Sequence, residues 1–255
     1  MRMIYFLLPI LMLSCSTDNS SSNNQEAQAK EALQSASKDT LKVEVSDDFV
    51  TGQFDFTTHD DFVQVDPQYV KKEIYLHKKT YEAFKAMVDS AKADGVTFTL
   101  ISGTRNFSNQ KAIWEQKWNN SSADSDLDKA LEILEYSSMP MTSRHHWGTD
   151  IDLNNLNNSY FEKGQGKKEY EWLQEHANDF GFYQPYTDKS QNGRTGYNEE
   201  KWHWSYLPLA KKYLAYYNKN ISNEDITGFL GSNLSQEIDM VKNYVNGISS
   251  KMKQE

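Results

Sequence analysis

The sequence predicts an α+β protein with one folded domain, and three observations carry that reading. The chain has 255 residues, 38% of them hydrophobic, which suffices for one medium-sized core but is thin for two. Its strand-like and helix-like stretches are short and follow one another without the regular alternation of a doubly wound sheet. A long polar stretch separates the N-terminal apolar run from the first alternating positions near Val43 and Phe49, so the core is expected to lie beyond it.

Arg2 followed by the apolar run Ile4 to Leu13 and then Ser14-Cys15 reads as an export signal, too short for a permanent membrane-spanning helix. Cys15 is the only cysteine and so has no intramolecular disulfide partner. Residues 1–15 resemble a bacterial lipoprotein signal, although Leu13 stands one place later than in the commonest pattern. That resemblance implies a lipid on Cys15 and a membrane-anchored protein of the cell envelope. The competing reading is an ordinary secretory signal with an incidental cysteine. Residues 16–42 are mostly Ser, Asn, Gln, Asp and Ala, cannot bury enough surface to fold, and are expected to form a disordered tether.

The folded domain is expected over residues 43–219. A helix from Thr80 places Tyr81, Phe84, Val88 and Ala91 on one face and stops at Gly95, after which Val96, Phe98 and Leu100 alternate as a strand. A second helix is predicted from Ser108 to Trp118, followed by a polar insertion from Asn119 to Asp128. A third carries Tyr170, Trp172, Leu173, Ala177 and Phe180 and ends at Gly181. Residues 220–255 read as a C-terminal helical extension, with Ile238, Val241, Tyr244, Val245 and Ile248 at helical spacing between Leu234 and Met252.

Acidic residues outnumber basic ones by 36 to 27 and give a net charge of -9. With no clustered Lys and Arg, a nucleic-acid partner is excluded.

Four stretches hold residues that a core does not ask for: Ser102-Gly103-Thr104-Arg105, Ser143 to Gly148, Asp150-Ile151-Asp152, and Glu200 to His203. Two histidines and an aspartate can satisfy a catalytic zinc, which takes three N or O protein ligands and leaves a fourth position open. Asp150 to Leu153 alternate like a half-buried strand, so that both aspartates face one side. Gly148 can supply the sharp turn that brings His145 to that side. Glu200 and His203, three apart, come together only on a helical turn or an irregular segment. Trp202 and Trp204 are then expected to wall the site.

These motifs resemble those of the VanY-type D-alanyl-D-alanine carboxypeptidases, zinc peptidases of the hedgehog/DD-peptidase fold, from about Lys72 to Tyr217. The first zinc signature falls on Ser143, His145 and Asp152, and the second on Glu200, Trp202 and His203. The arginine segment falls on Ser102 to Arg105, with Thr104 in place of a tyrosine, and a following glutamine on Gln110. The resemblance implies a small antiparallel sheet flanked by helices. It also implies Zn2+ on His145, Asp152 and His203, Glu200 as base, and Arg105 as stabiliser of the oxyanion. Ser143, Gln110, Asp150 and Trp202 are candidate substrate contacts. Asp150 departs from the family's small residue, and it either orients a ligand or binds substrate. Arg144 is a further candidate donor to a terminal carboxylate. His146 has the wrong spacing for a ligand, and His59, His77 and His176 are expected to be structural or superficial. Peptidoglycan stem peptides are the implied substrate, cut at a D,D or L,D bond by a monomer. An endopeptidase of the same fold and a non-catalytic zinc-containing wall-binding module are the alternatives.

Overall fold

The computed structural model describes residues 45–253. The expected signal, Cys15 and the whole of the expected tether lie outside the described residues. Glu44–Glu255 forms one compact unit, so residues 220–255 belong to the same body as the stretch read as the domain. Among the described residues, no helix is long and apolar enough to cross a membrane.

Among the described residues, two antiparallel sheets and five longer helices make up the frame. Strands β1 (Phe62–Gln64) and β2 (Tyr75–His77) pair as a ribbon, with Phe62 opposite His77. Strands β3 (Leu100–Ser102), β4 (Asp150–Leu153), β5 (Phe182–Tyr183) and β6 (His203–Tyr206) form a four-stranded sheet in the spatial order β3-β4-β6-β5. The helices are α1 (Lys78–Ala93), α2 (Phe107–Asn120), α3 (Asp126–Ile133), α4 (Gly164–His176) and α5 (Leu207–Asn220). This mixture of short antiparallel strands and helices is the expected α+β class.

Helix α1 starts where His77 Nδ1 accepts the Lys79 backbone N–H at 3.2 Å, filling one of the orphan donors of a helix start. It buries Phe84, Met87, Val88 and Ala91 and ends before Gly95, whose φ is +75°. Burial alternates from Val96 to Leu100 as predicted, yet ladder pairing begins only at Leu100. The reason is that β4 ends at Leu153 and the chain turns away at Asn154, with φ +60°. The Asn154 side chain and backbone hold Thr99 there at 2.6 and 2.9 Å.

Helix α2 is closed at its start by a reciprocal Asn106/Asn109 capping box. The expected insertion is shorter than the sequence suggested, because Ser125 caps α3 through Asp128 N at 3.1 Å. Only Ala130 and Ile133 of α3 are buried, too few to mark a helix by periodicity.

The C-terminal stretch is not one amphipathic helix. It breaks into a turn at Ser235–Ile238, a wide helical turn at Val241–Val245 and a last turn at Ser250–Met252. Asp239 sits in the left-handed region at φ +53°, and Asn223 holds the break by accepting Val241 N at 2.8 Å and donating to Asp239 at 2.9 Å. Its apolar residues still face inward: Leu234, Ile238, Met240, Val245 and Ile248 are buried. Trp114 of α2 donates its indole N–H to Leu230 O at 2.8 Å, so this segment is joined to the helix beside the site.

Candidate metal centre

The sheet register assembles the centre of the site. Asp152 lies opposite His203 and Asp150 opposite Ser205, and residues directly opposite in an antiparallel pair point to the same face. Alternation sends Ile151 and Trp204 to the other face. All four residues of β4 are buried rather than half-buried, because both faces of this central strand are covered. Trp204 therefore does not wall the site; its indole donates to Lys201 O at 3.1 Å. Trp202, in the turn before β6, does line the cavity.

His145 arrives from a short helical turn, Arg144–Trp147, that ends at Gly148 with φ +67°. A Cβ at Gly148 would lie 2.4 Å from the Phe62 ring and 2.8 Å from His77 N, so both conformation and space require glycine. Glu200 comes from an irregular turn in which His203 N bonds to Glu200 O at 3.3 Å. Asn158 clamps that turn from both sides, donating to Glu199 O at 2.7 Å and accepting Lys201 N at 3.0 Å.

Hydrogen bonds fix which ring nitrogens face inward. His145 Nδ1 donates to Gly103 O at 2.8 Å, and His203 Nε2 donates to the Asp150 carboxylate at 2.9 Å. His145 Nε2 and His203 Nδ1 are thereby turned toward Asp152, at 3.4 and 3.1 Å. Neutral rings would direct lone pairs at a carboxylate there, so the site calls for a proton or a metal cation among them. His145 Nε2 and Asp152 Oδ1 are buried without a hydrogen-bond partner, and His145, Asp152 and His203 offer ligand atoms within 4.8 Å of one another. Two imidazoles and one carboxylate fit a zinc ion that keeps an open position.

Asp150 stands behind His203. Its oxygens accept from Arg144 Nε at 2.9 Å, Thr149 Oγ1 at 2.7 Å, Ser205 Oγ at 2.8 Å and His203. It does not line the cavity. Of the two roles left open for it, the geometry matches orientation of His203 rather than contact with substrate. Arg144 is engaged in the same network and lies 4.8 Å over the Trp147 ring.

Electrostatics follow from burial and crowded carboxylates. Burial works to lower the basicity of His203, but Asp150, Asp152 and Glu200 outweigh it and hold the ring well above the ordinary histidine range. Burial pushes the Glu200 carboxyl up, against the opposing pull of His203 at 3.3 Å. Desolvation lowers the Arg105 pKa, with Asp152 and Glu200 offsetting it, and a guanidinium remains charged under such a shift.

A cavity of about 580 Å³ opens over this centre. Arg105, Gln110, Ser143, Glu200 and Trp202 all line it. Tyr136, Ser138, Leu156, Asn158, Tyr186 and Tyr197 also line it, and no sequence motif pointed to them. Tyr186 packs 4.9 Å from the His203 ring and 4.9 Å from Tyr197, which in turn meets Tyr244 of the C-terminal segment at 5.1 Å. Around the cavity, Arg105 Nε, Gln110 Oε1, Ser143 Oγ, Arg144 Nη1 and Tyr197 OH are buried without hydrogen-bond partners. Native structures rarely leave so many polar atoms unpaired together. Away from the site, His77 caps α1, His59 sits among Phe49, Phe54 and Phe62, and His176 packs on Trp172.

The model of the VanY family, described as D-alanyl-D-alanine carboxypeptidase, matches residues 73–209. The chain belongs to this family. The matched span contains every residue placed above at the metal centre. A Bacillus subtilis protein named "Putative carboxypeptidase YodJ" is 31% identical over 139 residues, 52% of this chain and 46% of that protein. A D-alanyl-D-alanine carboxypeptidase of Enterococcus faecalis is 30% identical over 126 residues, 48% of this chain and 45% of that one. The chain thus spans about half the length of the curated relatives it matches. Among solved structures, VanYB in complex with D-alanine-D-alanine superposes with a TM-score of 0.47 at 20% identity, over 74% of this chain and 88% of that chain.

Proposed function

We propose that this VanY-family member is a zinc-dependent carboxypeptidase that removes the C-terminal residue of peptidoglycan stem peptides at a D,D or L,D bond. The observation that carries the reading is the convergence of His145 Nε2, His203 Nδ1 and Asp152 beside Glu200, under a cavity with unpaired donors. Zinc held by those three side chains would supply a Lewis acid that acidifies water and polarises the scissile carbonyl. Glu200 accepts a proton from the attacking water and returns it to the leaving amine, so that one amide and one water give a carboxylic acid and an amine. Burial, by raising the Glu200 pKa, brings the carboxylate closer to the basicity this exchange needs. Arg105 donates to the oxygen that becomes negative during attack.

Exopeptidase action fits the donors around the cavity. A terminal carboxylate needs cationic or hydroxyl partners, and Arg144 Nη1, Ser143 Oγ and Tyr197 OH are all unpaired there. Tyr136 and Leu156 are 46% and 53% exposed at the cavity and offer apolar surface to the rest of a stem peptide. The apolar run ending at Cys15 supports the accompanying proposal of a lipid-anchored envelope protein, periplasmic or at the cell surface.

The test is release of D-Ala from pentapeptide-stem and tetrapeptide-stem muropeptides by the wild type, by the chelated protein and by Glu200→Ala with its zinc content measured. Release by the wild type alone is expected, with zinc retained in the variant. Intact substrate in all three overturns the carboxypeptidase reading, and cleavage of cross-linked dimers instead would identify an endopeptidase.

A further inference from the structure

Arg105 is held by the two consecutive histidines of the zinc signature, only one of which is a candidate ligand. His145 Nδ1 donates to Gly103 O at 2.8 Å, and Arg105 N donates back to His145 O at 3.1 Å. His146 completes the clamp, with its Nδ1 2.7 Å from Arg105 O. A carbonyl can only accept, so the His146 proton lies on Nδ1. His146 Nε2 has no partner, and the residue is fully buried.

The space for His146 is made by a segment outside the family-matched span. A Cβ on Gly52 would lie 2.3 Å from His146 Nδ1, so any side chain there would displace the ring. Gly52 O also accepts Phe107 N at 2.7 Å, which fixes the chain two residues beyond Arg105. The backbone around Arg105 is thereby gripped on three sides while its guanidinium remains at the cavity.

We propose that His146 is a positioning residue for Arg105: its Nδ1–H, seated against Gly52, holds the Arg105 carbonyl and thereby aims the guanidinium at the reacting carbonyl. Its catalytic consequence rests on the carboxypeptidase reading, but the clamp itself does not. Leu at 146 puts a methyl near the Nδ1 position and removes the donor, whereas Asn restores an N–H donor there. In His146→Leu, kcat on the pentapeptide stem should fall roughly 10- to 100-fold, the scale expected when a reacting group is misplaced. KM and zinc content should change less than about twofold, and His146→Asn should recover most of kcat. In an Arg105→Ala background the same Leu substitution should cost less than about twofold, because its effect passes through Arg105. Equal losses in both backgrounds, or equal losses in Leu and Asn, overturn the proposal.

Hydrogen exchange over residues 103–107 reads the clamp without turnover. It should accelerate in His146→Leu and stay near wild type in His146→Asn. Unchanged exchange in the Leu variant overturns the clamp. Faster exchange in His146→Leu, alongside a wild-type protein that cleaves no stem peptide, would leave the clamp standing and remove only the carboxypeptidase reading.

Discussion

Asp152 stands directly opposite His203 in the β4–β6 ladder, so two of the three candidate metal ligands are brought together by strand register alone. A one-residue slip of β6 would turn His203 to the Trp204 side of the sheet. The centre is therefore only as stable as that pairing, and the residues that fix the register are expected to control metal affinity.

Asp150 is the first such residue. Asp150→Asn keeps the shape but cannot accept from all of Arg144, Thr149, Ser205 and His203, so zinc affinity should fall about 10- to 100-fold. Competition with a chromophoric chelator measures it. Asp150→Ala should in addition lower stability by about 3–5 kcal/mol, because Arg144 loses its charge partner in a buried site.

Glu200→Gln should retain zinc and lose activity by roughly 100- to 10,000-fold, the range typical of a lost general base. Zinc content by mass spectrometry and turnover on the same preparation separate the two effects. Loss of metal in step with activity would show that Glu200 acts as a ligand instead.

Gly148→Ala should destabilise the fold by about 1–3 kcal/mol through strain at positive φ, with crowding of Phe62 and His77 added to it. It should also weaken zinc, because the turn that it distorts delivers His145. Denaturant unfolding and metal titration check the two parts.

His77 gives the fold an acid limit. Burial pushes its pKa down to about 4 from an ordinary 6.5, so between those values the unfolded chain binds more protons than the native one. Stability contributed by neutral His77 is then present above about pH 6.5 and is lost as pH falls toward 4. His77→Asn keeps a side-chain acceptor for Lys79 N but has nothing to titrate. Urea unfolding of both proteins at pH 7 and 4.5 should show a smaller acid loss in the variant, by about 1–3 kcal/mol.

Arg194 binds the cavity wall to the C-terminal segment, donating to the carbonyls of Thr187, Thr195, Tyr197, Asn198 and Gly247. Arg194→Lys cannot reproduce that planar fork. Stability should fall by about 2 kcal/mol or more, and KM should rise more than kcat falls, since Tyr186 and Tyr197 lie on the same loop. Steady-state kinetics beside thermal melting would test it.

The sequence by itself determined the chemistry of the centre. Ligand types, the seven-residue step from His145 to Asp152 and the short step from Glu200 to His203 are local, and local spacing fixes what a strand or turn can present. The same locality made α1, α2 and α4 legible. Only tertiary structure decided the rest. Tyr186 and Tyr197 reach the cavity from irregular loops, which carry no period to read, and Asn158 from the start of a single short helical turn, Asn158–Glu162. Trp204 faces away because its partner strand sets the face. Asp150 became an orienting group once Arg144, Thr149 and Ser205 filled its oxygens. The C-terminal helix predicted from spacing is broken at Asp239, where Asn223 satisfies the freed backbone and the apolar side chains reach the core without a continuous helix. Periodicity reports which side chains are to be buried, whereas the path of the backbone that buries them depends on partners distant in the chain.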